Sequence, residues 1–382
     1  MNRMTKNAFL VLLGLTASIC ANAQQISALG PVTHLVVPDQ SGQAAGGIDF
    51  ENAKPVPLPD PGIAPPTQTE SLLNAPARSQ GAAGSAAGGS GNGRQKPVQL
   101  PKPRSAASQD QVAPQEFGSS GQPFTTNRVD AAGDNTQFYY AFRPTGKLFF
   151  NIGSATYVCS ASLIKPGVVV TAAHCVANFG QQQFYAHWVF VPAYSNGAAP
   201  YGTWTAASAT VMTSYFNGTD SCAVRGVVCQ DDVAVLTLSP QTGAYAGNYA
   251  GWYGYGWNGY GFNGSAQTLI DQLGYPVALD NGTLMQRNDS QGFVGASFSN
   301  NTIIGSLMTG GSSGGPWLVN LGMPPTLSGT SFGNAAGRNT VVGVTSWGYT
   351  DTGVKQQGAS PFTSGNIVPL VSVVCTSTPG AC

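Results

Sequence analysis

Ser313 lies in the small-residue run GGSSGGP at positions 310–316, and the apolar residues WLV follow it directly. A similar run, GSAAGGSGNG at 84–93, leads into no apolar stretch and is typical of a linker. A serine hydroxyl is a weak nucleophile unless a base accepts its proton as it attacks. Histidine is the usual base near neutral pH, so the chemistry to test for is acyl transfer by a serine and a histidine.

The chain contains three histidines, and their surroundings differ. His34 lies in a region rich in Pro, Gly and Ala. His187 lies in YAHWVF, where alternation with aromatic residues predicts a packed strand. His174 lies in VVVTAAHCVANF, where an apolar strand runs into small residues. Such a histidine is often only a core residue, but His174 is the best placed of the three to act as a base.

A third group must orient the imidazole and stabilise its charged form, and a buried carboxylate can do both. The stretch CQDDVAVLTLSP offers Asp231 and Asp232 at the start of an apolar strand. An aspartate at the start of a strand is commonly a turn residue, so this pattern alone leaves both carboxylates open.

The three motifs TAAHC, DDVAVLTL and GGSSGGP occur in the order His, Asp, Ser. Subtilisin-like enzymes and α/β-hydrolases have other orders. Over about residues 137–370 the chain resembles the trypsin/chymotrypsin-like serine peptidase family, and it is most similar to secreted bacterial members. The resemblance implies that His174 is the general base and Ser313 the nucleophile. It favours Asp232 as the orienting acid, because the family's Asp directly precedes the apolar run.

The same resemblance assigns the residues that would hold the substrate. The turn around the nucleophile would direct the N–H groups of Gly311 and Ser313 at the oxyanion of the tetrahedral intermediate. The other expected contacts are a substrate-edge strand and a specificity pocket, formed by Ser346, Trp347 and Gly348 and by Leu307, Met308 and Gly358, respectively. No pocket residue is charged. Cleavage is therefore expected after neutral or apolar residues, because burying an unpaired Arg or Lys is costly.

Two positions depart from the family pattern. Ser312 stands where trypsin-type enzymes carry an Asp, which pairs with the new N-terminus after zymogen cleavage. Thr345 stands where related glutamyl endopeptidases carry a His. The sequence therefore supports neither that activation switch nor a preference for Glu.

The first residues have the pattern of a secretory signal. Arg3 and Lys6 precede an apolar run at 8–19, and ANA at 21–23 supplies the small residues of a cleavage site. We therefore expect a signal peptide at 1–23 and export to the periplasm, the cell envelope or the medium, where disulfides form.

Six cysteines remain after removal of Cys20 with the signal. Many pairings are possible, and the simplest joins neighbours in the sequence. The spacings do not suit a metal site and histidine is scarce, so neither a metal nor another cofactor is expected. By the resemblance, the bridge beside the base would be the family disulfide. The expected pairs are Cys159–Cys175, Cys222–Cys229 and Cys375–Cys382.

Composition divides the chain into two regions. Residues 24–127 are rich in Pro, Gly, Ala, Ser and Gln, and we expect a largely disordered pro-region or linker, with extended, polyproline-like chain at 52–66 and 96–105. From residue 128 to 382, short apolar runs alternate with turn residues, which predicts an all-β domain. The resemblance implies two packed six-stranded antiparallel β-barrels of the chymotrypsin type. The run at 243–264 would connect them, with His174 and Asp232 on the first barrel and Ser313 on the second.

Only 8% of the residues are charged and the net charge is zero, which argues against a nucleic-acid partner. No segment after the signal is long and apolar enough to predict a transmembrane span. The expected partners are protein or peptide substrates, and the expected state is a monomer. The main alternative is a non-catalytic envelope adhesin or protease-like binding protein. A glycosidase is disfavoured because no Glu follows Glu116, and an esterase using the same triad stays open.

Overall fold

A computed structural model of the chain describes residues 25–37, 47–66, 81–104, 122–130, 133–264, 266–322 and 337–382. The predicted signal peptide lies outside these residues. Within them, strands dominate and helices are short, as the alternation of apolar runs and turn residues predicts.

The strands, in chain order, are β1 (Gln25–Leu29), β2 (Val32–Val36), β3 (Lys54–Pro55), β4 (Gly84–Ala86), β5 (Val98–Gln99), β6 (Phe124–Arg128), β7 (Thr145–Ile152), β8 (Ala155–Lys165), β9 (Val168–Thr171), β10 (Ala177–Asn178), β11 (Gln183–Phe184), β12 (Ala186–Pro192), β13 (Ala198–Ala199), β14 (Trp204–Met212), β15 (Cys222–Val224), β16 (Val227–Cys229), β17 (Ala234–Leu238), β18 (Gly254–Trp257), β19 (Thr268–Gly274), β20 (Gln286–Gly292), β21 (Thr302–Gly305), β22 (Pro316–Val319), β23 (Thr340–Gly348) and β24 (Gln356–Pro361). The α-helices are α1 (Thr213–Asn217), α2 (Ala246–Ala250) and α3 (Ile367–Ser377). Single 3₁₀ turns occur at Thr136–Phe138, Ala173–Cys175, Asp280–Gly282, Ala296–Phe298 and Pro379–Ala381.

The first barrel is closed by hydrogen bonds between its own strands. Six antiparallel strands follow the order β14-β12-β7-β8-β9-β17, and β17 pairs back onto β14. Closure encloses alternate side chains, while β12 pairs only with Trp204 and Thr205 of β14 and leaves the rest of that edge of β14 open to another strand. The enclosed side chains are apolar and fully buried, for example Leu148, Phe150, Leu163 and Val169.

The second barrel follows the same plan. Its six antiparallel strands have the order β21-β24-β23-β22-β19-β20. A bridge between Phe293, just after β20, and Ile303 of β21 joins the two ends. Ile270, Trp317 and Ile304 are buried inside. The all-β architecture with two six-stranded antiparallel barrels is therefore as predicted, and residues 243–264 connect the barrels, with α2 and β18 in this connection.

The N-terminal region contributes strands to both sheets, which its composition did not predict. The hairpin β1–β2 extends the first sheet beside β14, while β6 pairs with β20 of the second. Val32 and Leu35 are fully buried. His34, expected in disordered chain, is buried instead, and its Nδ1 lies 2.8 Å from Thr210 Oγ1. Composition alone predicts too little order for this segment. Pairing with a preformed sheet edge supplies hydrogen bonds and burial that the segment lacks alone.

Three disulfides join the cysteines in the neighbour pairs that sequence proximity favoured, Cys159–Cys175, Cys222–Cys229 and Cys375–Cys382. The second closes the β15–β16 hairpin, and the third ties the end of α3 to the last residue. None of the described helices has an apolar stretch long enough to cross a bilayer.

We expect Leu35→Ala to lower the free energy of unfolding by about 2–4 kcal/mol, because it leaves a cavity where β2 packs on the first barrel. Val36→Ala in the same strand is the control, since the Val36 side chain is 43% exposed. Val36→Ala should lower the free energy of unfolding much less. Denaturant unfolding of the full chain measures both. Equal, small losses would show that β2 is not packed as described.

Candidate active site

His174 lies on the 3₁₀ turn Ala173–Cys175, which directly follows β9. The turn is held on both sides of the histidine. Cys175 is bonded to Cys159 of β8, and its carbonyl accepts a hydrogen bond from Trp188 Nε1 at 3.2 Å. The apolar strand and the small residues that precede His174 are buried, so the backbone beneath the imidazole has little freedom to move.

Asp232 precedes β17, the strand that pairs with β9, and this pairing brings the carboxylate to the imidazole. Asp232 Oδ2 lies 2.8 Å from His174 Nδ1, and Oδ1 accepts the backbone N–H of His174 at 2.8 Å. Ser346, from β23 of the other barrel, donates its hydroxyl to Oδ2 at 2.6 Å. An acceptor at Nδ1 places the ring proton there and leaves Nε2 free to accept one.

Asp231 points away from the imidazole. Its Oδ2 accepts the hydroxyl of Ser214 at 2.6 Å, and its backbone N–H donates to Asp220 Oδ2 at 2.8 Å. Burial raises the pKa of the Asp231 carboxyl. Burial, together with the nearby charge of Asp231, raises the pKa of Asp220 to about 7. The residues alone left both carboxylates open and the resemblance favoured Asp232, and the structure brings only Asp232 to His174.

Ser313 lies on the turn that leads into β22, and the turn packs closely against the first barrel. The carbonyl of Ser313 accepts a hydrogen bond from Ser160 N at 2.7 Å. At Gly314 the backbone has φ +76°, and a Cβ there would lie 2.0 Å from Thr171 Oγ1. Only glycine fits this contact, so the GGSSGGP spacing is what allows the nucleophile turn to reach the barrel that carries the imidazole.

His174 Nε2 and Ser313 Oγ are both buried, and neither has a hydrogen-bond partner among the described residues. Buried polar atoms are ordinarily paired, so two unpaired atoms of complementary function require an explanation. An imidazole nitrogen that can accept a proton and a serine hydroxyl that can lose one are the two reactive groups that acyl transfer needs. His34 and His187 lie elsewhere, with Thr210 and Asn151 as their neighbours, respectively.

Two further predicted donors already bind carbonyl groups, and both carbonyls come from the N-terminal region. Gly311 N donates to the carbonyl of Val56 at 3.0 Å, and Gly348 N donates to that of Pro59 at 3.1 Å. Sequence reasoning did not place Val56 or Pro59 at the site. The available signal was the alternation of prolines in KPVPLPDP, which predicted an extended chain but not its position.

The predicted pocket residues lie together at one end of β23 and β24. Leu307 and Met308 are buried, and Gln357 Nε2 donates to the carbonyl of Met308 at 2.5 Å. Gly358 lies opposite Trp347, and a Cβ on Gly358 would lie 2.0 Å from the Trp347 ring. Trp347 itself is fully buried and stacks on Phe298, with the two ring centres 5.0 Å apart. It therefore packs tightly against Gly358.

A small cavity opens beside these residues. Leu307, Met308 and Gly348 form part of its lining, and two charged residues, Asp351 and Lys355, also border it. Burial lowers the pKa of Lys355, while the charge of Asp351 opposes this shift. Neither charged residue belongs to the pocket that the resemblance implied.

Comparison with known proteins places these features in a family. The trypsin family model matches residues 132–366, which contain the three candidate catalytic residues. The extracellular metalloprotease of Bacillus subtilis (strain 168) is 32% identical over 103 residues, or 27% of this chain. The matched part is 28% of that relative's length, so its other properties are not carried over.

Two solved structures are also similar. Protease Anisep from Arthrobacter nicotinovorans is 27% identical, with 63% of this chain and 95% of that chain covered and a TM-score of 0.47. The thermostable serine protease AL20 from an extremophilic microorganism is 26% identical, with 62% and 100% covered and a TM-score of 0.48. Since the family model alone matches well over half of the chain, this protein belongs to the trypsin family of serine peptidases.

Proposed function

We propose that the chain is an exported serine endopeptidase that hydrolyses peptide bonds through an acyl-enzyme intermediate. Ser313 is the nucleophile, His174 the general base and Asp232 the acid that orients the base. The observation that carries the proposal is the 2.8 Å contact between His174 Nδ1 and Asp232, with His174 Nε2 and Ser313 Oγ both buried and unpaired.

The chemistry follows from these groups. Ser313 Oγ attacks the carbonyl carbon of the substrate as His174 Nε2 takes its proton, and the Asp232 carboxylate stabilises the imidazolium. The tetrahedral intermediate collapses when the imidazolium returns that proton to the leaving nitrogen, which releases an amine and leaves an ester on Ser313. A water molecule then repeats the attack with His174 as base, and the acid product leaves.

The oxyanion would be held by the N–H groups of Gly311 and Ser313. Such donors lower the barrier because they are already oriented before charge develops on the oxygen. Gly311 has φ +90°, and a Cβ there would lie 2.7 Å from the carbonyl of Tyr275, so a side chain would displace this peptide. The hydrogen bond from Gly311 N to a carbonyl oxygen supports the assignment, since this donor already faces an acceptor of the required kind.

The pocket also fixes the direction of the substrate chain. The residue before the scissile bond would place its side chain beside Leu307 and Met308, which belong to the second barrel. The preceding residues then extend along β23, where Gly348 offers its N–H. The leaving part of the substrate must extend in the other direction, past Ser313 along β8 of the first barrel.

We further propose that the residue before the scissile bond is neutral or apolar. Leu307 and Met308 offer apolar contact, at about 25 cal/mol per Å² of buried surface. Residues 302–316 and 341–349 contain no charged residue. Asp351 and Lys355 at the cavity border are the two residues that could change this preference.

The proposal includes the organisation of the chain. Residues 1–23 are the signal peptide, 24–127 the pro-region and 128–382 the peptidase domain. The boundary at 128 follows a change of composition, although β6 (Phe124–Arg128) pairs with β20. Three disulfides and a matched relative described as extracellular support export.

Ser313→Ala and His174→Ala should each lower kcat/KM for peptide hydrolysis by about 10⁴-fold or more, leaving only a residual from binding and the oxyanion donors. His187→Ala is the matched control and should keep nearly full activity, because His187 is hydrogen-bonded to Asn151 and to neither Asp232 nor Ser313. Steady-state kinetics on a peptide amide measures all three. An active Ser313→Ala protein would refute the proposed nucleophile.

Asp232→Asn should lower kcat by about 10³–10⁴-fold, because the amide favours the wrong imidazole tautomer. Asp231→Asn should change kcat by less than about tenfold, since Asp231 bonds Ser214 and lies off the imidazole. The two substitutions are chemically identical and adjacent, so each controls for the other. A larger loss from Asp231→Asn would reverse the assignment.

On matched peptides that differ only before the scissile bond, kcat/KM for Leu, Phe or Ala should exceed that for Arg or Lys by at least about tenfold. A preference for Arg or Lys that disappears in Asp351→Asn would contradict the prediction and identify Asp351 as the pocket charge. A preference for Glu or Asp that disappears in Lys355→Gln would contradict it equally and identify Lys355.

A further inference from the structure

Residues 54–60, here called the cleft segment, lie across the cleft that contains His174 and Ser313. At one end, Val56 N donates to the carbonyl of Val158 on the first barrel at 3.0 Å. In the middle, the Val56 carbonyl accepts Gly311 N, the proposed oxyanion donor, at 3.0 Å. At the other end, the Pro59 carbonyl accepts Gly348 N at 3.1 Å. The segment therefore binds two of the three backbone donors that a substrate would use, those of Gly311 and Gly348.

The cleft segment runs in the direction opposite to a substrate. Its first residues, Lys54 and Pro55, pair in parallel with Tyr157 and Val158 of β8 on the first barrel. From there the chain passes Gly311 and reaches Gly348 on the second barrel at Pro59, so it proceeds from the leaving side to the acyl side. A substrate placed by the pocket would proceed from Gly348 past Ser313 to β8.

Reversal has a chemical consequence for the peptide bond at the oxyanion donor. The nitrogen bonded to the Val56 carbonyl belongs to Pro57, whose Cα lies 3.4 Å from the position of a Cβ on Gly310. This nitrogen lies on the acyl side of the cleft, away from the position where the imidazolium must protonate a leaving amine. In addition, it is a tertiary amide nitrogen. The Val56 carbonyl can therefore accept the hydrogen bond from Gly311 N while the Val56–Pro57 bond is not in position for cleavage.

Contacts beyond the cleft hold the segment at both ends. On the second barrel, Asp60 Oδ2 accepts the backbone N–H of Thr350 at 2.8 Å and also its hydroxyl, and Leu58 Cδ1 lies 2.9 Å from the position of a Cβ on Gly348. On the first barrel, Phe50 packs edge-on against Phe149 with ring centres 4.9 Å apart. Prolines at every second position from 55 to 61 restrict the unbound chain to extended conformations, which lowers the entropy lost on binding.

We propose that the cleft segment keeps the full-length chain latent by occupying the substrate cleft in the reversed direction, and that activity requires its displacement. This inference rests on the proposed function, since latency has a meaning only for an active site. It accounts for the burial of His174 Nε2 and Ser313 Oγ without a partner. It also gives the chain a means of inhibition that does not need the Asp that trypsin-type enzymes carry at the position of Ser312.

The first test measures how fast a fluorophosphonate probe labels Ser313 in the intact full-length chain, with the intact species identified by mass. Wild type is compared with the double variant Leu58→Ala/Asp60→Ala, which removes the side-chain contacts on the second barrel. We expect labelling to be at least about tenfold faster in the double variant, because a charged hydrogen-bonding group and an apolar contact are lost. Glu51→Ala is the control, since it removes only an exposed ion pair with Arg104 in the same region.

The outcomes separate this inference from the proposed function. Equal, rapid labelling of wild type and double variant would overturn latency while leaving the peptidase assignment in place. Failure of both to react at Ser313, with the double variant folded by circular dichroism, would overturn the proposed function and the inference with it. A rate increase in Glu51→Ala as large as that in the double variant would show that the effect does not depend on the cleft contacts, and would also overturn the inference.

The second test addresses direction. Pro57→Ala converts the bond after Val56 into an ordinary secondary amide while leaving the Val56 carbonyl in place. A reversed segment should keep this bond intact during incubation, because its nitrogen is on the wrong side of the cleft. Cleavage between residues 56 and 57 that is absent when Ser313→Ala is added would show that the segment binds as a substrate does, and would refute the reversed orientation.

Discussion

The cleft depends on the hydrogen bonds that the buried carboxylate of Asp232 accepts. This carboxylate accepts two hydrogen bonds from His174 of the first barrel and one from Ser346 of the second. An anion buried to this degree is stable only when donors surround it, so both barrels must be in place before the carboxylate is satisfied. The electrostatic requirement of one side chain thus couples the packing of the two barrels to the orientation of the imidazole.

Close backbone contact between the barrels meets the geometric requirement. Gly314 brings the nucleophile turn against Thr171, while Ser160 of the first barrel donates its backbone N–H to Ser313. The Ser160 hydroxyl also donates to the carbonyl of Gly311 at 2.9 Å, so the same strand supports the peptide next to the oxyanion donor. These contacts fix the turn that carries Ser313 against the first barrel, and such preorganisation is what the proposed stabilisation of an oxyanion needs.

The N-terminal region takes part in this arrangement although its composition suggests a simple tail. Its hairpin β1–β2 covers the edge of β14, and its proline-rich stretch lies against the turn that carries Gly311 and Ser313. Proline cannot donate a backbone hydrogen bond, so such a chain binds through its carbonyl groups. The cleft offers matching donors at Gly311 and Gly348. A segment with no apolar core of its own can therefore be ordered by the domain that it covers.

The sequence by itself predicted the family and the class of fold. The motifs around His174, Asp232 and Ser313 specify local conformations, since their small residues, buried strands and glycines act over a few positions. Strand lengths and turn residues predicted an all-β domain, and the resemblance implied its two barrels. The residues alone left Asp231 and Asp232 both open, and the resemblance favoured Asp232. The tertiary structure shows which way each of these adjacent side chains faces, because Asp232 contacts His174 while Asp231 contacts Ser214. It also decided the position of residues 54–60, since their sequence predicts an extended chain but the donors that bind it, Gly311, Gly348 and Thr350, lie far along the chain.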